Sequence, residues 1–339
     1  MDRISLRDSP IPITDVIMKG SGGYIPSNIV TNDDLVKRYK LKTDPKWISE
    51  HLGIEKRSFA LEDEQTSDLA FKASQIALDR ANISAKQLDW IILCTTTPDH
   101  PTPATAARLQ YLLKADCPAE DKQVACSGFM FGIYHAISLI HSGLNKILIV
   151  GVDIKSRFVS KTDERFLPIF ADGAGAIILE KSNTSFGFKN IQLWTDGKYF
   201  KNIYTNLGGS VHPISNEVNQ EQGIQISVTG KEIYEDAVFA MVKLSEKVLK
   251  DSNLSSEDID HFIPHQANFK IMKQVALSLS IPIEKVINTI QFSGNIVNAT
   301  LPFAYFYGIQ SNRFKKGDKL LFVTAGGGYS GGAAIYIHQ

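Results

Sequence analysis

Residues 82–93, NISAKQLDWIIL, and residues 253–264, NLSSEDIDHFIP, are two versions of one pattern. Each places an Asn and a Ser at a turn, then a short polar stretch, then an apolar run of strand length. Each follows apolar residues at helical spacing, SDLAFKASQIALDRA (67–81) and YEDAVFAMVKLSEKVLKDS (234–252). The two blocks stand 171 positions apart, 82 against 253. A second pair stands in the same order. CSGFMFGIYHAISLIHSG (126–143) is apolar on nearly every face and leads through LNK into the strand ILIVGVD (147–153). NIVNATLPFAYFYGIQSNR (295–313) leads through KKGDK into LLFVTA (320–325), at an offset of 169, 126 against 295. Two matches at nearly one offset point to an internal duplication.

Strands alternating with helices imply an α/β fold with mostly parallel sheets. Two such units, each with an all-apolar helix, predict layered sheets related by a pseudo-twofold axis, with the buried helices between them. The polar segment EKSNTSFGF (180–188) divides the chain into halves 1–185 and 186–339. The stretch from 186 to about 230, rich in Asn, Gly and Ser, reads as strands and loops.

The 339 residues carry 36 Lys+Arg against 36 Asp+Glu, so no net charge points to nucleic acid. No apolar run approaches the ~20 residues of a membrane span, and MDRISLRDSPIPITDV lacks the apolar core of a signal peptide. Three cysteines, at 94, 117 and 126, show no CxxC spacing. They fit a reducing, cytoplasmic setting without a disulfide framework or zinc ribbon.

A duplicated fold should bring corresponding ends of its halves to one site. Cys126 opens the buried helix of the first half, where helix dipoles favour a thiolate and lower the thiol pKa. Asn295, in SGN, holds the matching place in the second half. His265 ends the strand in IPHQAN, and its counterpart 171 residues earlier is Cys94. Cys, His and Asn at element ends make a nucleophilic site, with His265 and Asn295 as donors to a developing oxyanion. The glycines of AGGGYSGGAA (325–334) permit close ligand approach, and Gly327 is the expected partner of the Cys126 N–H in an oxyanion hole. ADGAGAIILE (171–180) runs into a strand and not a helix, which excludes a dinucleotide loop; its glycines suit packing against the central helices.

These residues resemble the β-ketoacyl-acyl carrier protein synthase III family of the thiolase superfamily. The likeness rests on GGYIPSNIVTNDDL (22–35), WISEHLGIEKR (47–57), ACSGF (125–129), FADGAGA (170–176), IPHQAN (263–268), SGN (293–295) and AGGG (325–328). It spans the chain beyond about the first 13 residues. It implies a duplicated αβαβα thiolase-like fold, a homodimer, and decarboxylative condensation without a metal or redox cofactor. Cys126 would take an acyl group from acyl-CoA or another thioester. Malonyl-acyl carrier protein, or malonyl-CoA, would then lose carbon dioxide with His265 and Asn295 holding the enolate. Asn268 would support that pair, and Cys126 and Gly327 N–H groups would form the oxyanion hole.

Departures concern substrate recognition. His51 stands where the family commonly has an arginine that grips coenzyme A, leaving Trp47 as a stacking platform for adenine. Lys270 replaces another arginine with a point charge, and Lys273 joins it at helical spacing toward an acidic carrier protein or a phosphate. Thr102 and Ala325 stand at acyl-pocket positions that are often phenylalanine, implying a roomier pocket and an acyl group larger than acetyl: medium-chain, branched or aromatic. A thiolase is disfavoured because Thr324 and Ala325 stand where its second cysteine belongs. An acyltransferase passing the Cys126-bound group to an alcohol or amine without decarboxylation stays open, as does a chalcone-type chain-extending polyketide synthase, though those chains are usually longer. The intact Cys126, His265 and Asn295 set argues against a non-catalytic scaffold subunit.

Overall fold

A computed structural model describes residues 6, 13, 15–206, 208–213, 224–226 and 229–339. The chain starts a first sheet with β1 (Val16–Tyr24), then makes a two-stranded annex, β2 (Asn28–Thr31) with β3 (Lys56–Phe59), around helices α1 (Asn32–Tyr39) and α2 (Pro45–Leu52). It continues through α3 (Thr66–Ala81), β4 (Trp90–Cys94), α4 (Thr105–Leu113), β5 (Ala119–Lys122), α5 (Gly128–His141), β6 (Lys146–Ile154) and β7 (Asp172–Lys181). The second run holds β8 (Gly187–Thr195), the short pair β9 (Ile203–Thr205) and β10 (Ile224–Ile226), α6 (Gly230–Asp251), β11 (His261–Pro264) and α7 (Phe269–Ser278). It ends with α8 (Ile290–Ser293), α9 (Thr300–Gln310), β12 (Lys319–Gly326) and β13 (Ser330–Ile337).

The first sheet has the order β1-β7-β6-β4-β5 and the second β11-β12-β13-β8. Pairing follows one rule in both. β1–β7 and β7–β6 are antiparallel and β6–β4 parallel; β8–β13 and β13–β12 are antiparallel and β12–β11 parallel. The chain crosses between sheets at residues 182–186. Part of the expected strand-and-loop stretch, 207, 214–223 and 227–228, lies outside the described residues, as does most of the N-terminal extension.

Helices α5 and α9 form the middle layer because neither has a polar face to give to water. Phe129 and Ile133 of α5 and Leu301 and Tyr305 of α9 share one core with Ile92 and Ile149 of the first sheet and Phe322 and Tyr336 of the second. The outer face of the first sheet packs on α3 and α4, that of the second on α6 and α7. Backbones meet closely around the middle layer. A Cβ on Gly151 of β6 would stand 2.2 Å from Asn298 O, and one on Gly175 of β7 would stand 2.6 Å from Phe303 N. Gly175 thus serves the packing expected for ADGAGAIILE.

Candidate active site

Cys126 precedes Ser127, the N-cap of α5. Both are tied to the other half: Thr324 Oγ1 of β12 donates to Cys126 O (3.1 Å), and Ser127 Oγ donates to Ser330 O (3.1 Å). Gly326 ends β12 against the nucleophile, where an added Cβ would lie 2.8 Å from Cys126 N and 3.0 Å from Cys126 Cβ. The thiol departs from expectation. Burial pushes it up to about 12, with Asp153 adding to the rise and Lys155 opposing it. Cys126 lies two residues before the first helical residue, and burial is the largest influence on its thiol there.

His265 follows β11, with its N–H donating to Val323 O (2.8 Å), the residue beside Thr324. The side chain is buried, and burial pushes the imidazole down to about 4. It is therefore neutral near pH 7. Its Nδ1 stands 2.7 Å from Thr300 Oγ1, which also lies 2.8 Å from Val297 O. The hydroxyl has one hydrogen for two acceptors. Given to Val297 O, the hydroxyl hydrogen leaves Oγ1 to accept from Nδ1–H and Nε2 with a lone pair. Given to Nδ1, it leaves Val297 O with the Thr300 N–H, and this second arrangement is the one that suits a substrate oxygen. That assignment puts the ring proton on Nε2, the nitrogen left for a ligand.

Asn295 is buried and bridged to Phe170: Asn295 N donates to Ile169 O (3.0 Å) and Ala171 N to Asn295 O (3.0 Å). Its Oδ1 accepts the Val297 N–H (2.9 Å), which fixes the amide and leaves Nδ2 to donate. Val297 has φ 50, unusual for a β-branched residue and worth about 1–3 kcal/mol of strain. One chain of contacts therefore links the three residues: Cys126 to Thr324, Val323 to His265, His265 to Thr300, and Val297 to Asn295.

Several supporting groups carried no sequence signal. Asp153, fully buried at the end of β6, accepts from Thr96 N and Oγ1 (both 2.7 Å) and from Asn298 N and Nδ2 (3.0 and 2.9 Å). Longer contacts to Thr95 and Thr97 hydroxyls (3.3 and 3.2 Å) complete the cluster. It clamps the loop after β4 to the turn before α9.

The expected recognition residues lie farther out. Trp47 is half-exposed, and His51 stacks on its ring (centroids 4.6 Å apart, planes 9° apart). Trp47 borders a surface groove with Lys42, Thr43, Leu52, Glu164 and Arg165. Glu164 there accepts from Lys42 N (2.9 Å) and Thr43 Oγ1 (3.2 Å). Asn268 caps α7 by accepting the Lys270 N–H (2.7 Å), while Lys270 and Lys273 are exposed. Thr102 is exposed on the loop between β4 and α4, and Ala325 is partly buried beside Gly326. A Cβ on Gly327 would meet Ile203 of β9 (3.1 Å). Among the described residues no His, Cys, Asp and Glu group could hold a metal ion, and no helix is long and apolar enough to cross a membrane.

Comparison with known proteins places the chain in a family. The family profile for 3-oxoacyl-[acyl-carrier-protein (ACP)] synthase III matches residues 121–197, and that for its C-terminal part matches 249–337. The chain is 39% identical over 317 residues to beta-ketoacyl-[acyl-carrier-protein] synthase III of Vesicomyosocius okutanii, covering 93% of this chain and 96% of that one. It is 37% identical to the enzyme of the same name from Methylococcus capsulatus, over 93% and 97%. The crystal structure of the Aquifex aeolicus 3-oxoacyl-[acyl-carrier-protein] synthase III superposes with a TM-score of 0.88 at 33% identity, over 95% of this chain and 100% of that one. The fold is thus the duplicated thiolase-like fold, and this chain belongs to the 3-oxoacyl-[acyl-carrier-protein] synthase III family.

Proposed function

We propose that the chain condenses an acyl group, held on Cys126, with a malonyl thioester to give a β-ketoacyl thioester. The observation that supports this best is the pair of committed side chains. His265 spends Nδ1 on Thr300 and Asn295 spends Oδ1 on Val297 N, so each keeps a donor for one substrate oxygen. Two fixed donors in a buried site stabilise an enolate far better than water does.

In the first half-reaction the Cys126 sulfur bonds to the acyl carbon while the donor's C–S bond breaks. The thiol proton leaves with the departing thiol. The N–H groups of Cys126 and Gly327 hold the transient oxyanion. Malonyl-acyl carrier protein, or malonyl-CoA, then enters, and its carboxylate C–C bond breaks to release carbon dioxide. The electron pair passes into an enolate held by His265 and Asn295. Its carbon attacks the acyl-enzyme and expels the Cys126 sulfur, which takes a proton from solvent. Each step uses side chains and substrates alone, without a metal or redox cofactor.

The carrier protein or coenzyme would approach over Asn268, Lys270 and the Trp47 groove. Trp47 already carries His51 on its ring, so an adenine would stack on the opposite face or displace the imidazole. The small Ala325 suits an acyl group larger than acetyl; Thr102, exposed in one chain, adds nothing to that argument. Halves 1–185 and 186–339 would supply Cys126 and the His265–Asn295 pair respectively. Three free thiols suit a cytoplasmic setting, and β5, paired on one edge only among the described residues, suits a homodimer. Carbon dioxide release from malonyl-acyl carrier protein tests the proposal. Stoichiometric release with a new C–C bond is expected; acyl transfer to an alcohol or amine without release would overturn it.

A further inference from the structure

Lys155 is a buried cation that the condensation does not use. It follows Asp153 at the end of β6 and is 7% exposed. Its ammonium has three hydrogens and, among the described residues, one hydrogen-bond partner, Thr96 Oγ1, at a long 3.4 Å. The Phe170 ring lies 6.0 Å away. Among the described residues no carboxylate forms an ion pair with it. Asp153, the nearest in sequence, is filled by Thr96 and Asn298.

Asp153 attracts the ammonium electrostatically but gives its oxygens to Thr96 and Asn298, and proteins rarely bury an ammonium that lacks a direct carboxylate contact without use. This one borders residues that position the site. Thr96 belongs to the clamp on Asn298, and Phe170 is the bridge partner of Asn295. The ammonium and the Cys126 thiol also act on each other electrostatically. Burial pulls the lysine pKa below its usual value, with Asp153 only partly opposing the fall.

We propose that Lys155 selects the acyl donor, and that the acyl group accepted by Cys126 carries a carboxylate a few bonds beyond the thioester carbonyl. The incoming carboxylate completes the ion pair that the chain leaves open. An uncharged acyl group of the same shape leaves the ammonium buried and unpaired. This rests on Cys126 being the acyl carrier, and it replaces a purely apolar acyl group with an ω-carboxyacyl one.

The test loads the full chain with N-acetylcysteamine thioesters, which avoid any carrier-protein or coenzyme preference. Succinyl is set against 4-methylpentanoyl, its uncharged isostere, and Cys126 acylation is followed by intact mass. We expect the succinyl thioester to react at least about tenfold faster. Lys155→Met should remove or invert that preference, and Lys155→Arg should retain it. Lys155→Met deletes a buried charge and orphans no partner, because Thr96 Oγ1 still donates to Asp153. A melting curve confirms that it folds. Preference for 4-methylpentanoyl in the natural chain, or an unchanged ratio in Lys155→Met, overturns the role of Lys155 alone. Failure of both, and of the acetyl thioester, to label Cys126 overturns the acyl-carrier reading itself.

Discussion

Thr300→Val isolates the hydrogen-bond device behind the proposed decarboxylation. The substitution exchanges a hydroxyl for a methyl at a buried position and leaves the backbone alone. His265 keeps its N–H bond to Val323 O, and Val297 O keeps the N–H of residue 300. What disappears is the 2.7 Å contact to Nδ1. That nitrogen is then buried without a partner in either tautomer, at about 1–3 kcal/mol. The ring can hold Nε2–H with an orphaned lone pair, or move its proton to Nδ1 and present a lone pair to the enolate. Removing one oxyanion donor outright costs about 10²–10³ in rate, so decarboxylation should fall roughly 10- to 100-fold. Acyl loading of Cys126 should change less than about threefold, since no bond to Cys126, Thr324 or Gly326 is touched. Single-turnover carbon dioxide release measures the first, and intact mass the second. Thr300→Ser should restore most of the loss. Decarboxylation at the natural rate, or an equal fall in both half-reactions, would refute the tautomer argument.

Asn295→Asp preserves the acceptor for Val297 N–H but puts a carboxylate oxygen where a donor stood. Carbon dioxide release should drop at least about 10²-fold with loading retained. Because burial holds His265 at about 4, carbon dioxide release should be flat from pH 5.5 to 7.5; a step near 6.5 would contradict its neutrality. The same depressed value acts on stability. The folded chain resists protonation that the unfolded chain accepts below 6.5, so His265 lowers stability as pH falls from 6.5 toward 4, and His265→Gln should flatten that part of a melting profile. Gly151→Ala forces a methyl against Asn298 O, which is backbone and cannot rotate away. It should cost about 1–3 kcal/mol and disturb the Asp153 clamp, lowering both the melting temperature and activity.

The duplication was legible because period and order survive divergence. Two amphipathic helices, two buried strands and two all-apolar helices recur at nearly constant offsets, and the paired sheets follow them. Cys126, His265 and Asn295 were legible as residues beside element ends, and each does stand beside one: α5, β11 and α8. Other groups were not. Asp153, Thr96 and Asn298 are ordinary residues whose meaning lies in meeting across the two halves, and no local pattern encodes that meeting. Gly326 looked like its neighbours in AGGG until Cys126 was found packed on it. Trp47 was recognised as an aromatic surface, but the His51 ring on it depends on one helical turn's geometry in α2. The direction of the thiol's shift is not legible either: a helix start is visible in sequence, whereas the water lost around a side chain is not.

That protonated thiol bears on how long the protein survives. Peroxides and other electrophiles attack thiolates, and a thiol whose pKa burial raises offers them little thiolate at neutral pH. Most buried cysteines escape oxidation by being useless. Cys126 would escape it while waiting, its chemistry released by a bound thioester whose departing thiol takes up the proton. The burial that slows the empty site thus acts as its antioxidant.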